Sequence, residues 1–493
     1  MTDISMPQVI DKGDYFDIVN PEYDILAKDS FDFSTDRQSW VKVRNDHGDS
    51  AFQGGQTMSN VNFNITNTND YVNLSDAYIK VKFRIQERGQ SGPLVYPTTD
   101  VGDPAVTQPD YLATLQNGGW SLFRTATLEI NSRQVQNLSY IDSVAQIIQL
   151  GQYSCESSKS LAQKEWFFVH DKRDASITPD NYNCLTPGDA AYNKSLHERM
   201  MLSNSGAGPL GEVLPIRQSK HATITLPLRY ILSSLDTLPL IKRNAITLSL
   251  GINGSYKDII EVVKRVANVE IPDLVVHITE CSLYHQIMVP SSIIRSKLNE
   301  QYLSNAQSIR SYLHYLPILS KQHMGDTRDL TVVLPNFSHK PIGMYIFARL
   351  RSRTNDLHSI NTVYDGESIE RLQVSVGNLN FPAEPMIHDP SSNDIHDGYQ
   401  ALLTHFKEDQ SRTDHLSLIT YDAFLSGKYS LFYIDLSKAV FDMGEVLNLS
   451  ATINMHITDG DDPARRYDVF AMISTLHQYT IGMSNDSINI LPK

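Results

Sequence analysis

Cysteine is almost missing from this chain. Its 493 residues include three, Cys155, Cys184 and Cys281. An odd number without metal-ligand spacing excludes a disulfide framework and a thiolate metal finger. It fits reduced, buried or incidental thiols in an intracellular setting. Tryptophan is as scarce: Trp40, Trp120 and Trp166 are too few and too scattered for the aromatic platforms of a sugar-binding surface. No apolar run approaches the roughly 18 residues of a membrane-spanning helix. The opening MTDISMPQVIDKGDYFDIVN has neither the basic nor the apolar region of a signal peptide. Triplets such as Asn64-Ile-Thr66 and Asn448-Leu-Ser450 therefore read as incidental rather than glycosylated. Positive charge is lacking too. A formal net charge of −14 argues against a surface built to coat DNA or RNA, although it leaves room for a basic patch on one face.

Catalytic signatures are missing as well. There is no GxxxxGK[ST] loop, no GxGxxG after a strand, no HExxH and no GxSxG elbow. The nearest approach to a cation site is DGDD at 459–462. Calcium needs about six to eight oxygens, and Pro463 follows at once, so a solvated turn is expected there. His197 and Glu198 have no third ligand nearby, and His277, His285 and His456 lie within strands as packed or surface residues. Paired carboxylates could serve a glycosidase. Asp435 and Glu129 sit on separate strands, however, and Asp435 reads better as a group at a polar interface or turn. No catalytic, cofactor-binding or metal-binding residue is assigned, and no cofactor is expected. That silence favours a structural role over an enzyme.

What is present is β structure. Hydrophobic content of 41% and charged content of 20% mark a globular chain. Twenty-four Tyr, with abundant Thr, Val and Ile, favour strands. In YIKVKFRI, Ile79, Val81, Phe83 and Ile85 alternate with Lys80, Lys82 and Arg84, which gives one buried and one wet face. TATLEI, ATITLPLRY, AITLSLGI and LVVHITECSLY continue the series. Pro227 places its strand at an edge or a bulge. One helical stretch, IDSVAQIIQLG at 141–151, stands out.

The second half follows the same order. DLTVVLP and IGMYIFARL occupy 329–350, RLQVSV precedes a helical HDGYQALLTHF at 396–406, and SLFYIDLS, VLNLSATINMHI and VFAMISTLHQYTI follow. The hairpin stretches SLFRTATLEINSRQV and SIERLQVSVGNLNFP have the same shape. Offsets test the correspondence. Leu128 and Val374 differ by 246 positions, Ile224 and Phe432 by 208. The missing 38 fall where the first half carries a polar stretch at about 151–220, a loop grown on a common scaffold. Periodicity alone does not establish duplication; the shared order of elements points to it.

The expected fold is all-β: two tandem eight-stranded jelly-roll sandwiches with short inserted helices. The expected layout is an acidic arm at 1–54, a first roll at 55–290 with the insertion near 151–220, a linker at 291–327, a second roll at 328–483 and a tail at 484–493. Residues 1–50 carry eleven acidic and five basic side chains, and either lie over a neighbour or pack locally.

Four stretches resemble a known family. SLFRTATLEINSRQVQNLSYIDSVAQII, HATITLPLRYILSSLDTLPLIKRNAITLSLGIN, RLQVSVGNLNFP and LITYDAFLSGKYSLFYIDLSK look like segments of double jelly-roll major capsid proteins of the polinton, adintovirus and virophage-like type. They run in the family's order between about residues 55 and 483. VGNLNFP departs from the simple Asn-Gly hairpin, and the acidic arm matches no family pattern.

The resemblance implies a major capsid protein whose homotrimers are pseudo-hexameric capsomers and tile an icosahedral shell around double-stranded DNA. It implies self-association and contacts between trimers, penton and minor capsid proteins as partners, and room for an internal membrane. No sequence-specific nucleic-acid binding is implied. The protein would reside in the virion after assembly inside the host cell, in nucleus or cytoplasm, without secretion. The insertion would rise as an outer tower or lock neighbours, and the arm and tail would tie the shell base. The alternative is a carbohydrate-binding or carbohydrate-cleaving tandem β-sandwich. A minor capsid or vertex protein fits less well, because such proteins tend to carry a single roll.

Overall fold

The hairpin quoted above closes on two residues, Asn131 and Ser132, whose φ of 52° and 60° both lie in the left-handed region. That is the primed geometry whose twist matches paired strands. Its counterpart in the second half turns at Gly377, with φ of 58°. Glycine carries no steric cost there, so the VGN form reaches the same hairpin by a different turn.

The protein was analysed as a computed structural model. It describes residues 35–46, 59–66, 70–99, 108–153, 163–168, 185–189, 192–207, 213–238, 240–254, 259–266, 268–303, 307–320, 328–336, 339–350, 364, 369–389, 392, 394–410, 418–425, 429–437, 451–457, 467–484 and 487–492. The first half holds β1 (Thr35–Arg44), β2 (Asn60–Ile65), β3 (Tyr71–Glu87), β4 (Tyr111–Leu115), β5 (Phe123–Ile130), β6 (Arg133–Ser139), α1 (Ile141–Gln152), α2 (Lys194–Ser203), β7 (Asn204–Ala207), β8 (Val213–Ser219), β9 (Ala222–Pro227), β10 (Ile246–Ile252), β11 (Ile260–Lys264) and β12 (Leu274–Pro290). The second holds α3 (Ser292–Leu303), β13 (Gln307–Ser320), β14 (Asp329–Val333), β15 (Pro341–Leu350), β16 (Ile369–Val376), β17 (Leu379–Ile387), α4 (His396–Gln410), α5 (Tyr421–Leu425), β18 (Phe432–Asp435), β19 (Ala451–Ile457), β20 (Tyr467–Ser484) and β21 (Ser487–Pro492).

The strands pair as β1-β12-β3-β9 and β2-β10-β5-β6 in the first half, and as β13-β20-β15-β18 and β14-β19-β16-β17 in the second. Each sheet of the second half repeats the order of its counterpart, so both halves are eight-stranded antiparallel jelly rolls. We call the sheets containing β3 and β15 the D sheets. Inward residues alternate as expected: Ile79, Val81 and Phe83 are fully buried on β3, and Leu372, Val374 and Val376 on β16. β9 is an edge strand, and Pro227 ends it opposite Tyr78 of β3. One apolar core runs through both rolls. No helix among the described residues is long and apolar enough to cross a membrane.

Described elements cross two of the expected boundaries. The expected arm at 1–54 contains β1, which pairs with β12 from Thr35–Pro290 to Arg44–Ser282, so Thr35–Arg44 belongs to the first roll. Residues 1–34 lie outside the described residues. The expected linker at 291–327 contains α3 and β13, and β13 pairs with β20 along its whole length. The polar insertion is structured in part, with α2 and a β7-β8 hairpin. In the expected tail, β21 pairs with β20 from Ser484–Ser487 to Tyr479–Pro492.

Candidate functional site: an assembly surface

The second roll lays its D sheet against the first roll. Tyr312 on β13 donates its hydroxyl to the Val135 carbonyl on β6 at 2.8 Å. Thr237 Oγ1 and the Tyr479 hydroxyl share a hydrogen bond of 2.9 Å, and Ser233 Oγ donates to the Leu313 carbonyl. Above these, α1 sits between the two rolls. Tyr140, Ser143 and Ile147 face Phe347, Phe470 and Met472 of the second D sheet across a small cavity. Phe347 and Phe470 are stacked at 4.8 Å, which gives α1 a flat apolar floor. At its far end Gly151 abuts the Phe406 ring, where a Cβ would overlap it. Leu418 N–H donates to the Leu150 carbonyl at 3.3 Å.

Three imidazoles meet at the same junction sheet, two on its strands and His339 just before β15. His339 stacks on His477 at 3.7 Å, and His314 lies 4.5 Å from His477. Burial, then the neighbouring imidazoles, pull His314 down to about 4 and His477 to about 3. Both are neutral at physiological pH. Tyr312, paired opposite His477, is pushed up to about 12 by burial.

The insertion is anchored by buried charge. Arg199 on α2 is fully buried and donates to Glu261 Oε2 on β11 at 2.6 Å and to the Leu115 carbonyl on β4 at 3.1 Å. Arginine's fixed fork suits such a site, since its charge persists when desolvated. A second network centres on Glu165. Tyr153 donates to it, Gln149 Nε2 donates at 3.0 Å, and Tyr230 donates to the Tyr153 hydroxyl at 2.9 Å. Burial raises the Glu165 carboxyl despite these bonds. Both networks tie segments together.

The residues weighed from sequence fall apart spatially. Asp435 accepts from Ser437 N–H at 2.8 Å and its hydroxyl at 2.6 Å, which makes it a turn residue. Glu129 is half-exposed on β5. His197 meets the Tyr192 hydroxyl at 3.0 Å, and Glu198 accepts from Gln163 at 3.1 Å. His456 pairs with Asp329 at 2.7 Å on the surface. His277 lies half-buried opposite Arg84, and His285 is buried and held below the usual imidazole range by that burial. Among the described residues no group of three His, Cys, Asp or Glu could hold a metal ion. Cys281 is buried and forms no disulfide among the described residues; Cys155, Cys184 and 459–462 lie outside the described residues. Trp120 and Trp166 are core residues, so no tryptophan platform includes them.

What sequence reading missed is the outward face of the first D sheet. Lys42, Lys80, Lys82 and Arg84 line it around Glu280, which Lys42 pairs at 2.6 Å. The adjacent lysines hold the Glu280 carboxyl below its ordinary range. At its end Trp40 lies tilted against Tyr78, centroids 5.3 Å apart, and Tyr78 stacks on Tyr284 at 5.0 Å. The wet face of YIKVKFRI was the available signal; the neighbouring strands supply the rest.

No protein-family model and no curated protein sequence matches the chain. Solved structures do. A chain from the Sputnik virophage superposes with a TM-score of 0.57 at 11% identity, covering 96% of this chain and 92% of that one. The mavirus major capsid protein superposes with a TM-score of 0.51 at 11% identity, covering 100% and 97%. At such identities the likeness is one of fold: the chain has the double jelly-roll fold.

Proposed function

We propose that this chain is the major capsid protein of a virus or virus-like element. In this reading three copies form a pseudo-hexameric trimer, and trimers tile an icosahedral shell around double-stranded DNA. The observation that carries it is the pairing of two jelly rolls with the same strand order in one chain. Two similar rolls per chain let a threefold object present six similar edges, which suits a hexagonal lattice. The end-to-end likeness to the mavirus major capsid protein supports the same reading.

The role is structural rather than catalytic, with the virion as its location and the host cell as its place of assembly. Contacts between trimers, and with penton and minor capsid proteins, complete the shell. A net charge of −14 leaves genome neutralisation to other basic proteins or to cations. An obligate trimer would bury more than roughly 2,000 Å².

Expressing the full chain and fractionating it on a density gradient tests this. Closed shells, or plates of hexagonal blocks, are expected in the heavy fractions by electron microscopy. A chain that stays at the top as a monomer contradicts the reading.

A further inference from the structure

Within one chain the rolls pack head to tail. The β6 and α1 side of the first roll covers the outward D-sheet face of the second. Among the described residues two counterpart surfaces are left over, one on each roll: the outward D-sheet face of the first, and the β17 and α4 side of the second.

Registers show how these surfaces differ from their covered counterparts. Taking Ile224 and Phe432 as equivalent, Val81 answers to Ile346, so Lys82 answers to Phe347. The strand partners of Lys82 and Phe347 are Glu280 and Phe470. Where the second roll offers α1 an aromatic floor, the first roll carries an ion-paired, lysine-rich face. The helices differ likewise. α1 is almost wholly buried between the rolls, whereas α4 exposes His396, Asp397, Gln400 and Thr404. Around α4, Glu384 on β17 and Asp422 on α5 are exposed as well. Apolar side chains lie at both edges: Trp40 is 48% exposed on β1, Leu379 49% and Ile387 43% on β17.

We infer that the lysine-rich D-sheet face of one copy seats on the acidic β17, α4 and α5 side of the second roll of another copy. The contact repeats between chains the arrangement that already exists inside each chain. Lys80, Lys82 and Arg84 meet Glu384, Asp397 and Asp422, while Trp40 meets the apolar side chains of β17. Such a contact is heterologous, so it either closes into a ring or extends; three copies close six rolls. Charge at the interface fixes partner and register, while Trp40 supplies apolar area. This inference rests on the trimeric reading above and names the surface that makes the trimer.

The test is charge reversal on the full chain, read as solution mass by light scattering. The parent chain is expected as a trimer. K80E/K82E should weaken trimerisation at least about tenfold, in a chain that still unfolds cooperatively. Adding D397K/D422K to that variant should restore the trimer. A trimeric parent with an equally trimeric K80E/K82E overturns this surface and leaves the capsid reading standing. A monomeric parent overturns the capsid reading itself.

A second measurement avoids variants that fail to fold. Isotopically light and heavy chains are assembled together and treated with a carbodiimide, which joins lysine to carboxylate without a spacer. Mixed light–heavy peptides linking 71–87 to 384–422 are expected. Trimers whose mixed links all fall elsewhere contradict the surface.

Discussion

The Tyr312 hydroxyl donates to the Val135 carbonyl at 2.8 Å, from the first strand of one jelly roll to the sixth strand of the other. It marks the line along which two separately wound sandwiches become one body. The apolar core continues across that line, so the rolls cannot part without exposing Phe347, Phe470 and Met472.

Gly151 is a close-packed point of the junction. A Cβ there overlaps Phe406, and neither helix can withdraw without opening the core. Gly151→Val should cost about 1–3 kcal/mol by overpacking, measured as a shift in the denaturation midpoint. An unchanged midpoint would mean that α1 and α4 do not meet as described.

Arg199 and Glu261 form a buried pair. Removing one partner leaves a desolvated charge, so Arg199→Met should destabilise by about 3–5 kcal/mol. The double variant Arg199→Met with Glu261→Leu should lose less than Arg199→Met alone. Urea melts of the three proteins check the order; a double variant worse than the single would contradict it.

Acid should loosen the junction. His314 and His477 titrate lower in the folded chain than the ordinary 6.5, because burial and their neighbours oppose charge. The unfolded chain therefore binds more protons below that value. Their stabilising contribution is fully present above about pH 6.5 and is lost as pH falls towards 4 and then 3. Each site contributes a slope of up to about 1.4 kcal/mol per pH unit. Melting temperature should fall between pH 6.5 and pH 4, and His314→Gln with His477→Gln should flatten that fall. Parallel curves for parent and variant would refute the assignment.

The N-terminus gives a prediction about boundaries. Deleting residues 1–50 removes β1, which pairs along β12, so the first roll should lose cooperative unfolding. Deleting only 1–34 should leave trimers and block closed shells, in keeping with an arm that ties the shell. Light scattering and electron microscopy of both truncations check this. Shells from the shorter deletion would show that the arm does not tie them.

Sequence made the paired strands legible wherever one face is wet. YIKVKFRI and RLQVSV alternate because each has a core side and an outer side. It failed where an element is covered differently. β13 reads QSIRSYLHYLPILS, in which residues 313–318 are all half-buried and Pro317 interrupts the run, so no clean alternation marks it and it looked like a linker. β1 carries Arg37, Gln38 and Trp40 outwards in an acidic context, which hid its pairing with β12. The lysines of β3 were readable as a wet face. Their equivalence to Phe347 needed the pairing registers, which no single strand contains.

The central claim is that the two rolls in one chain build a threefold block. The most direct test is the solution mass of the purified chain by light scattering, with negative-stain images of the same fraction. The account predicts three times the chain mass and a hexagonal outline. A stable mass of one chain, at concentrations where the protein is fully folded, would contradict it.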